Sequence, residues 1–321
     1  MKPFPSLTAG WLAIGLVLAC NLSHAAEPAR VAKAQASQIF FDDFNYADAD
    51  ALGAGGWIVR TEAGHPGIAG AQWGKEAFSL VADPQKSTNR LLRLEARTDG
   101  SSAGTRQAQI CHARKYLEGT FAARVRFSDE PVQGPDGDVV IQSFYLVSPL
   151  RFAFDPEFSE VDWEYLPNGG WGDARTRLYG ITWQTVQVEP WKSYNQAHEE
   201  FRPLGGSGGS GGWHTLVMQI GKGKTRHYLD GKLLTEHGGR NYPVVPMSLN
   251  FNLWFSPGGE LPGERALRVY RQDVDWVYHA KDQLLSPKEI DLAVTKLRKK
   301  GVAALDTVPA LAQPLPNQCN F

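Results

Sequence analysis

Between residues 39 and 280, apolar and polar positions alternate with a period of two, in short runs broken by Gly, Pro, Asn and Asp. Leu92, Leu94 and Ala96 alternate with Arg93, Glu95 and Arg97. Phe121, Ala123, Val125 and Phe127 alternate with Ala122, Arg124 and Arg126, and Trp213, Thr215 and Val217 alternate with His214, Leu216 and Met218. Successive side chains of a strand point to opposite faces, so each run predicts a strand with one face to bury. Such strands are stable when two sheets pack face to face, which predicts an all-β sandwich. No repeating βαβ pattern appears, so the sheets are expected to be antiparallel. The step Tyr228-Leu229-Asp230-Gly231 marks a hairpin, because Asp-Gly tolerates the positive φ of a tight turn. Residues 274–278 read as a late strand. The periodicity then changes. Ser286-Pro287-Lys288-Glu289 has a cap, a Pro at the first helical position and a Glu three residues after the cap. Ile290, Ala293, Val294 and Leu297 follow at helical spacing. Residues 281–321 are therefore expected to form a short helix and an irregular tail packed on the sandwich, with the basic run 296–300 at the solvated helix end.

Lys2, the apolar stretch 7–19 and the small residues Ser23 and Ala25 read as an export signal cleaved after Ala25, followed by a polar leader over residues 26–38. The expected destination is the periplasm or the medium. Val17-Leu18-Ala19-Cys20 offers a second possibility, a lipid anchor at Cys20. The formal net charge of -1 argues against a nucleic-acid partner, which would need a basic excess. Two cysteines remain beyond the signal, Cys111 and Cys319. Export permits a disulfide between them, but spacing alone does not establish one. They cannot make a zinc cluster by themselves.

The chemistry is concentrated in Phe158-Ser159-Glu160-Val161-Asp162-Trp163-Glu164-Tyr165. On a strand, Phe158, Glu160, Asp162 and Glu164 share one face, while Ser159, Val161, Trp163 and Tyr165 share the other. Acidic residues are depleted in strands. Three carboxylates in a row repel one another and push at least one pKa upward. No Lys or Arg is interleaved to relieve them. Glycoside hydrolysis uses such an arrangement, with one carboxylate as nucleophile and one protonated carboxyl as acid. The Cα atoms of Glu160 and Glu164 are expected about 13 Å apart on a regular strand, so their side chains must lean together for a retaining mechanism.

Glu160-Val161-Asp162-Trp163-Glu164 resembles the Glu-x-Asp-x-Glu signature of glycoside hydrolase family 16, and the resemblance extends over most of residues 39–280. Phe40-Phe41-Asp42-Asp43-Phe44 is similar to that family's opening strand. Gly119-Thr120-Phe121-Ala122-Ala123-Arg124-Val125 is similar to its Gly-x-Phe/Tyr-Glu-x-Arg strand, with Ala122 in place of the usual Glu. The resemblance implies a concanavalin A-like β-jelly-roll and a retaining endo-glycosidase acting on a β-linked polysaccharide. By position, Glu160 corresponds to the nucleophile, Glu164 to the acid/base, and Asp162 to the residue that tunes them. The motif lacks the extra residue of laminarinase-type members, which implies a glucan containing β-1,4 links. No cofactor is implied; a structural Ca²⁺ occurs in some relatives. The same residues could serve a transglycosylase, and the same fold a lectin-like module. A monomer is expected.

Ser248, Asn250, Asn252 and Trp254 share one strand face, backed by Met247, Leu249, Phe251 and Leu253. Aromatic rings suit the C–H faces of a sugar and amides suit its hydroxyls. Asn250, Asn252 and Trp254 are thus candidate binding residues, together with Phe158 on the acidic face. Trp183 and Tyr145 join them through the family resemblance. Trp171, Trp191, Tyr194 and His198 lie on segments that read as loops. Gly221-Lys222-Gly223-Lys224-Thr225 leads into a hairpin, so it reads as a turn rather than a phosphate loop. His198-Glu199-Glu200 has no second His at ligating spacing, and no metal site is expected there.

Overall fold

The computed structural model describes residues 38–205 and 212–319. The expected signal, the Cys20 anchor and the leader up to residue 37, and part of the Gly/Ser stretch 204–212, lie outside the described residues.

Two sheets stack face to face. The front sheet runs in the order Lys192–Glu200, Arg177–Gln187, Glu160–Leu166, Val140–Val147, Met247–Phe255, Arg106–Tyr116 and Trp57–Val59, each antiparallel to its neighbour. The back sheet runs Lys232–Gly238, Lys224–Leu229, Trp213–Gly221, Gly119–Arg126 and Arg268–Lys281. Beyond it, Lys86–Thr98 and Phe78–Asp83 flank one half of Arg268–Lys281, while Ile39–Asp42 and Ala304–Asp306 flank the other. One pairing, Arg97 with Arg106, links the sheets. The short strand Gln72–Trp73 departs from the antiparallel expectation by running parallel to Arg106 and Gln107.

Between the layers, Val161, Trp163, Tyr165, Phe144, Leu249, Phe251 and Leu253 of the front sheet meet Phe121, Ala123, Val125, Leu216 and Met218 of the back sheet, all fully buried. A fully buried large apolar side chain contributes about 1.5–3 kcal/mol, so this layer holds the front strands in register. The register fixes which residues share the outer face.

The C-terminal helix spans Pro287–Lys299 and lays Ile290 and Val294 on the outer face of the back sheet, against Phe41, Ala122, Val217, Trp276 and Tyr278. This contact accounts for Ala122, because a Glu at that completely buried position would place a carboxylate under the helix. The helix begins as its sequence predicts. Ser286 Oγ accepts from Glu289 N at 3.4 Å, and Glu289 Oε2 accepts from Ser286 N at 2.8 Å. Ser286→Ala is expected to cost about 1 kcal/mol, read from the midpoint of urea unfolding with an unchanged slope. The Asp230-Gly231 hairpin also forms, with φ of 49° and 82°.

Segment 192–200 was expected to be a loop and is instead the edge strand of the front sheet. It lacks apolar alternation because an edge strand beyond the sandwich core has no buried face to mark. Its pairing with Arg177–Gln187 makes it a strand.

Candidate active site

The acidic strand Glu160–Leu166 lies between Arg177–Gln187 and Val140–Val147. Glu160 stands opposite Trp183 and Val147, Asp162 opposite Ile181 and Tyr145, and Glu164 opposite Tyr179 and Ser143. Val161, Trp163 and Tyr165 fill the core on the far side, so the pleat directs all three carboxyls outward. They reach a cavity of about 610 Å³ on the outer face of the front sheet.

Asp162 is 3 % exposed; its Oδ2 accepts a hydrogen bond from the Trp183 indole N–H, and its Oδ1 has no partner in the protein. Glu164 Oε2 is likewise buried and unpartnered. Burial pushes the Glu164 carboxyl up to about 8. Burial and the Glu164 charge hold Glu160 well above the usual carboxylate range. Burial and the charges of both glutamates do the same to Asp162, opposed by the Trp183 hydrogen bond. The three groups cannot all be ionised at neutral pH. The site therefore stores at least one proton beside a carboxylate, as a nucleophile and an acid require.

Polar groups held from behind line the wall. Gln109 Nε2 donates to the Tyr145 hydroxyl at 2.6 Å, and Gln109 Oε1 accepts from Arg60 Nη1 at 2.8 Å. The guanidinium of Arg60 stacks 3.8 Å from the Trp73 ring. Burial and the charge of Glu160 raise the Tyr145 pKa, so its hydroxyl stays neutral. Asn252 Oδ1, Trp254 Nε1 and Ser143 Oγ are buried without a protein partner. Burying such atoms is costly unless something else bonds them. Aromatic rings supply the rest: Trp183 and Trp254 inside, Trp171 with its ring 5.3 Å from that of Tyr179, and Trp191 stacked on His65 at 5.3 Å.

The three-dimensional arrangement has clear counterparts. A Bacillus licheniformis β-glucanase matches with a TM-score of 0.53 and 16% identity, covering 77% of this chain and 100% of that one. A Bacteroides ovatus family 16 enzyme in complex with a mixed-linkage glucan product matches with a TM-score of 0.55 and 15% identity, covering 74% and 98%. The catalytic domain of a Thermotoga petrophila laminarinase matches with a TM-score of 0.52 and 16% identity, covering 76% and 97%. The fold is a β-jelly-roll, as in these glucanases. No family model and no curated protein sequence matches the chain, and at these identities the likeness is one of fold.

The jelly-roll brings Glu160, Asp162, Glu164, Tyr145, Trp183, Asn252 and Trp254 together on one cavity wall. Two expected binding residues are not part of that wall. Phe158 precedes the strand and packs into an apolar cluster with Tyr145, Val147 and Val186. Asn250 is on the expected face but fully buried, its Nδ2 donating to Ser248 O at 3.1 Å and Ser248 Oγ at 2.9 Å. Its strand neighbour Cys111 is bonded to Cys319, which joins the cavity lining.

Gln109, Ser143 and Tyr179 line the cavity without having been singled out from sequence, and Glu199, considered only as part of a metal site, lines it too. Gln107 and Gln109 alternate with Ala108 and Ile110, a signal of a polar outer face that could have been read. Glu199 lay in the unrecognised edge strand. His198 lies between the cavity-lining Ala197 and Glu199 on the strand, so it faces away from the cavity, and its Nε2 donates to Glu200 Oε1 at 3.0 Å. Among the described residues, no group of three or more His, Cys, Asp or Glu side chains gathers to hold a metal ion.

Proposed function

We propose that this chain hydrolyses a neutral β-linked glucan with retention at the cut carbon. The observation that carries this reading is the row of three carboxyls with raised proton affinity on the floor of an aromatic-walled cavity. In the first step Glu164 donates its proton to the leaving glycosidic oxygen while Glu160 attacks the anomeric carbon, forming a glycosyl ester. In the second step Glu164, now a carboxylate, takes a proton from water, and the water oxygen displaces Glu160. Asp162, fastened by the Trp183 N–H, adjusts the charge between them. A sugar hydroxyl in place of water would make the same residues a transglycosylase. The chemistry uses no cofactor.

The cavity wall carries Glu160, Asp162, Glu164 and Glu199 and, among the described residues, no Lys or Arg. That favours an uncharged polymer over a sulfated one. The mixed-linkage product held by the Bacteroides ovatus enzyme and the uninterrupted Glu160-Val161-Asp162-Trp163-Glu164 both support a glucan with β-1,4 links. The Cys111–Cys319 bond supports an exported protein, because disulfides persist in oxidising compartments. Reducing ends are expected from at least one of mixed-linkage glucan, laminarin and xyloglucan, and none from carrageenan. Release from carrageenan alone would overturn the neutral-substrate reading, and release from none of the four would overturn the hydrolase reading.

A further inference from the structure

The two ends of the cavity differ. At one end the edge strand Lys192–Glu200 leaves Asn195 and Glu199 exposed. At the other end the cavity stops at Gln109 and Cys319, each 1 % exposed. Here segment 316–319 crosses the outer face of strand Arg106–Tyr116. Three links fasten it: the Cys111–Cys319 bond, Gln109 Nε2 donating to Cys319 O at 2.6 Å, and Arg114 Nη1 donating to Pro316 O at 2.7 Å. Loop 62–67 closes over the same end. Arg60, 1 % exposed, grips it through Glu62 O and Gly64 O, both at 2.8 Å, while its third nitrogen holds Gln109. From the loop, His65 stacks on Trp191 with the rings 18° apart, so chain from opposite edges of the sheet meets over the cavity.

Resting on the hydrolase reading above, we propose that segment 316–319 and loop 62–67 form an end wall, so that the glucan binds with a chain end against the wall and is cut a short, fixed distance from it. The strand carrying the wall lies three strand spacings from the acidic strand, or about 14 Å at ~4.8 Å per spacing. That space holds few sugar rings. An open groove would continue over Asn250, a candidate sugar-binding residue; instead Asn250 is buried and its strand neighbour Cys111 is bonded to the wall. Gln109 connects the two functions, since the nitrogen that holds the wall also holds Tyr145 beside the carboxyls.

The test compares wild-type protein with a chain lacking residues 310–321 and with full-length Cys111→Ser, all checked for native melting. On a soluble linear β-glucan, wild type should give a narrow product ladder from the first time points and a slow fall in viscosity per reducing end. The two variants should give a broad early ladder and a fall several-fold faster. A broad early ladder from wild type, or identical ladders from wild type and a folded variant, overturns the wall. A readout independent of cleavage uses the Glu160→Gln background and calorimetry with glucan oligosaccharides of increasing length. Affinity should reach a plateau with the wall present and continue to rise at longer lengths without it. The same plateau in both overturns the wall even if every form proves inactive, an outcome that would separately sink the hydrolase reading.

Discussion

Glu164→Ala is expected to lower kcat by about 10²–10⁴-fold, the range that general acid–base catalysis supplies. Glu160→Ala should lower it at least as far, because no neighbouring group replaces the covalent step. The two losses can be told apart by adding azide with an activated aryl glucoside. In Glu160→Ala, azide occupies the space of the missing carboxylate and attacks directly, giving the α-glycosyl azide. In Glu164→Ala, Glu160 still forms the glycosyl ester and azide then displaces it, giving the β-glycosyl azide. Proton NMR of the product distinguishes the anomers. The β-azide from Glu160→Ala, or wild-type turnover in either variant, would refute the assignment. It rests on side-chain placement: both glutamates project from one strand into one cavity, with Asp162 between them.

Glu164→Gln is expected to make the protein more stable while removing its activity. A carboxyl raised to about 8 binds its proton more tightly in the folded chain than in the unfolded one, where the ordinary value is 4.5. Its contribution is therefore neutral at pH below about 4, becomes unfavourable as pH rises, and reaches its full cost above about 8. At ~1.4 kcal/mol per pH unit the gap caps that cost at roughly 5 kcal/mol. The group opens onto the cavity and shares protons with Glu160 and Asp162, so a gain of about 2–3 kcal/mol is the expected result at pH 8.5. For a domain of this size that is a rise of several degrees in melting temperature. At pH 4 the gain should vanish, because both states of the wild-type carboxyl are then protonated. An equal gain at both pH values, or none at pH 8.5, would show that burial does not raise this carboxyl. In wild type the same ionisation should end activity as pH rises through about 8, since the acid then has no proton to give.

Much of this was legible in the residues. Period-two alternation determined the strands, because a half-buried strand must display its two faces in sequence. The same alternation put Glu160, Asp162 and Glu164 on one face and Val161, Trp163 and Tyr165 on the other. Ser286 and Glu289 announced the helix, because a capping box is local chemistry. What the residues left open depends on partners remote in sequence. The edge strand Lys192–Glu200 has no buried face, so only its pairing identifies it. Phe158 and Asn250 carry the right chemistry for a sugar, yet Phe158 sits before the strand and Asn250 is covered. The pairing of Cys111 with Cys319 spans 208 residues, and only the folded sheet brings them together. Local periodicity decides which way a side chain points; tertiary structure decides what lies over it, and that closes one end of the cavity.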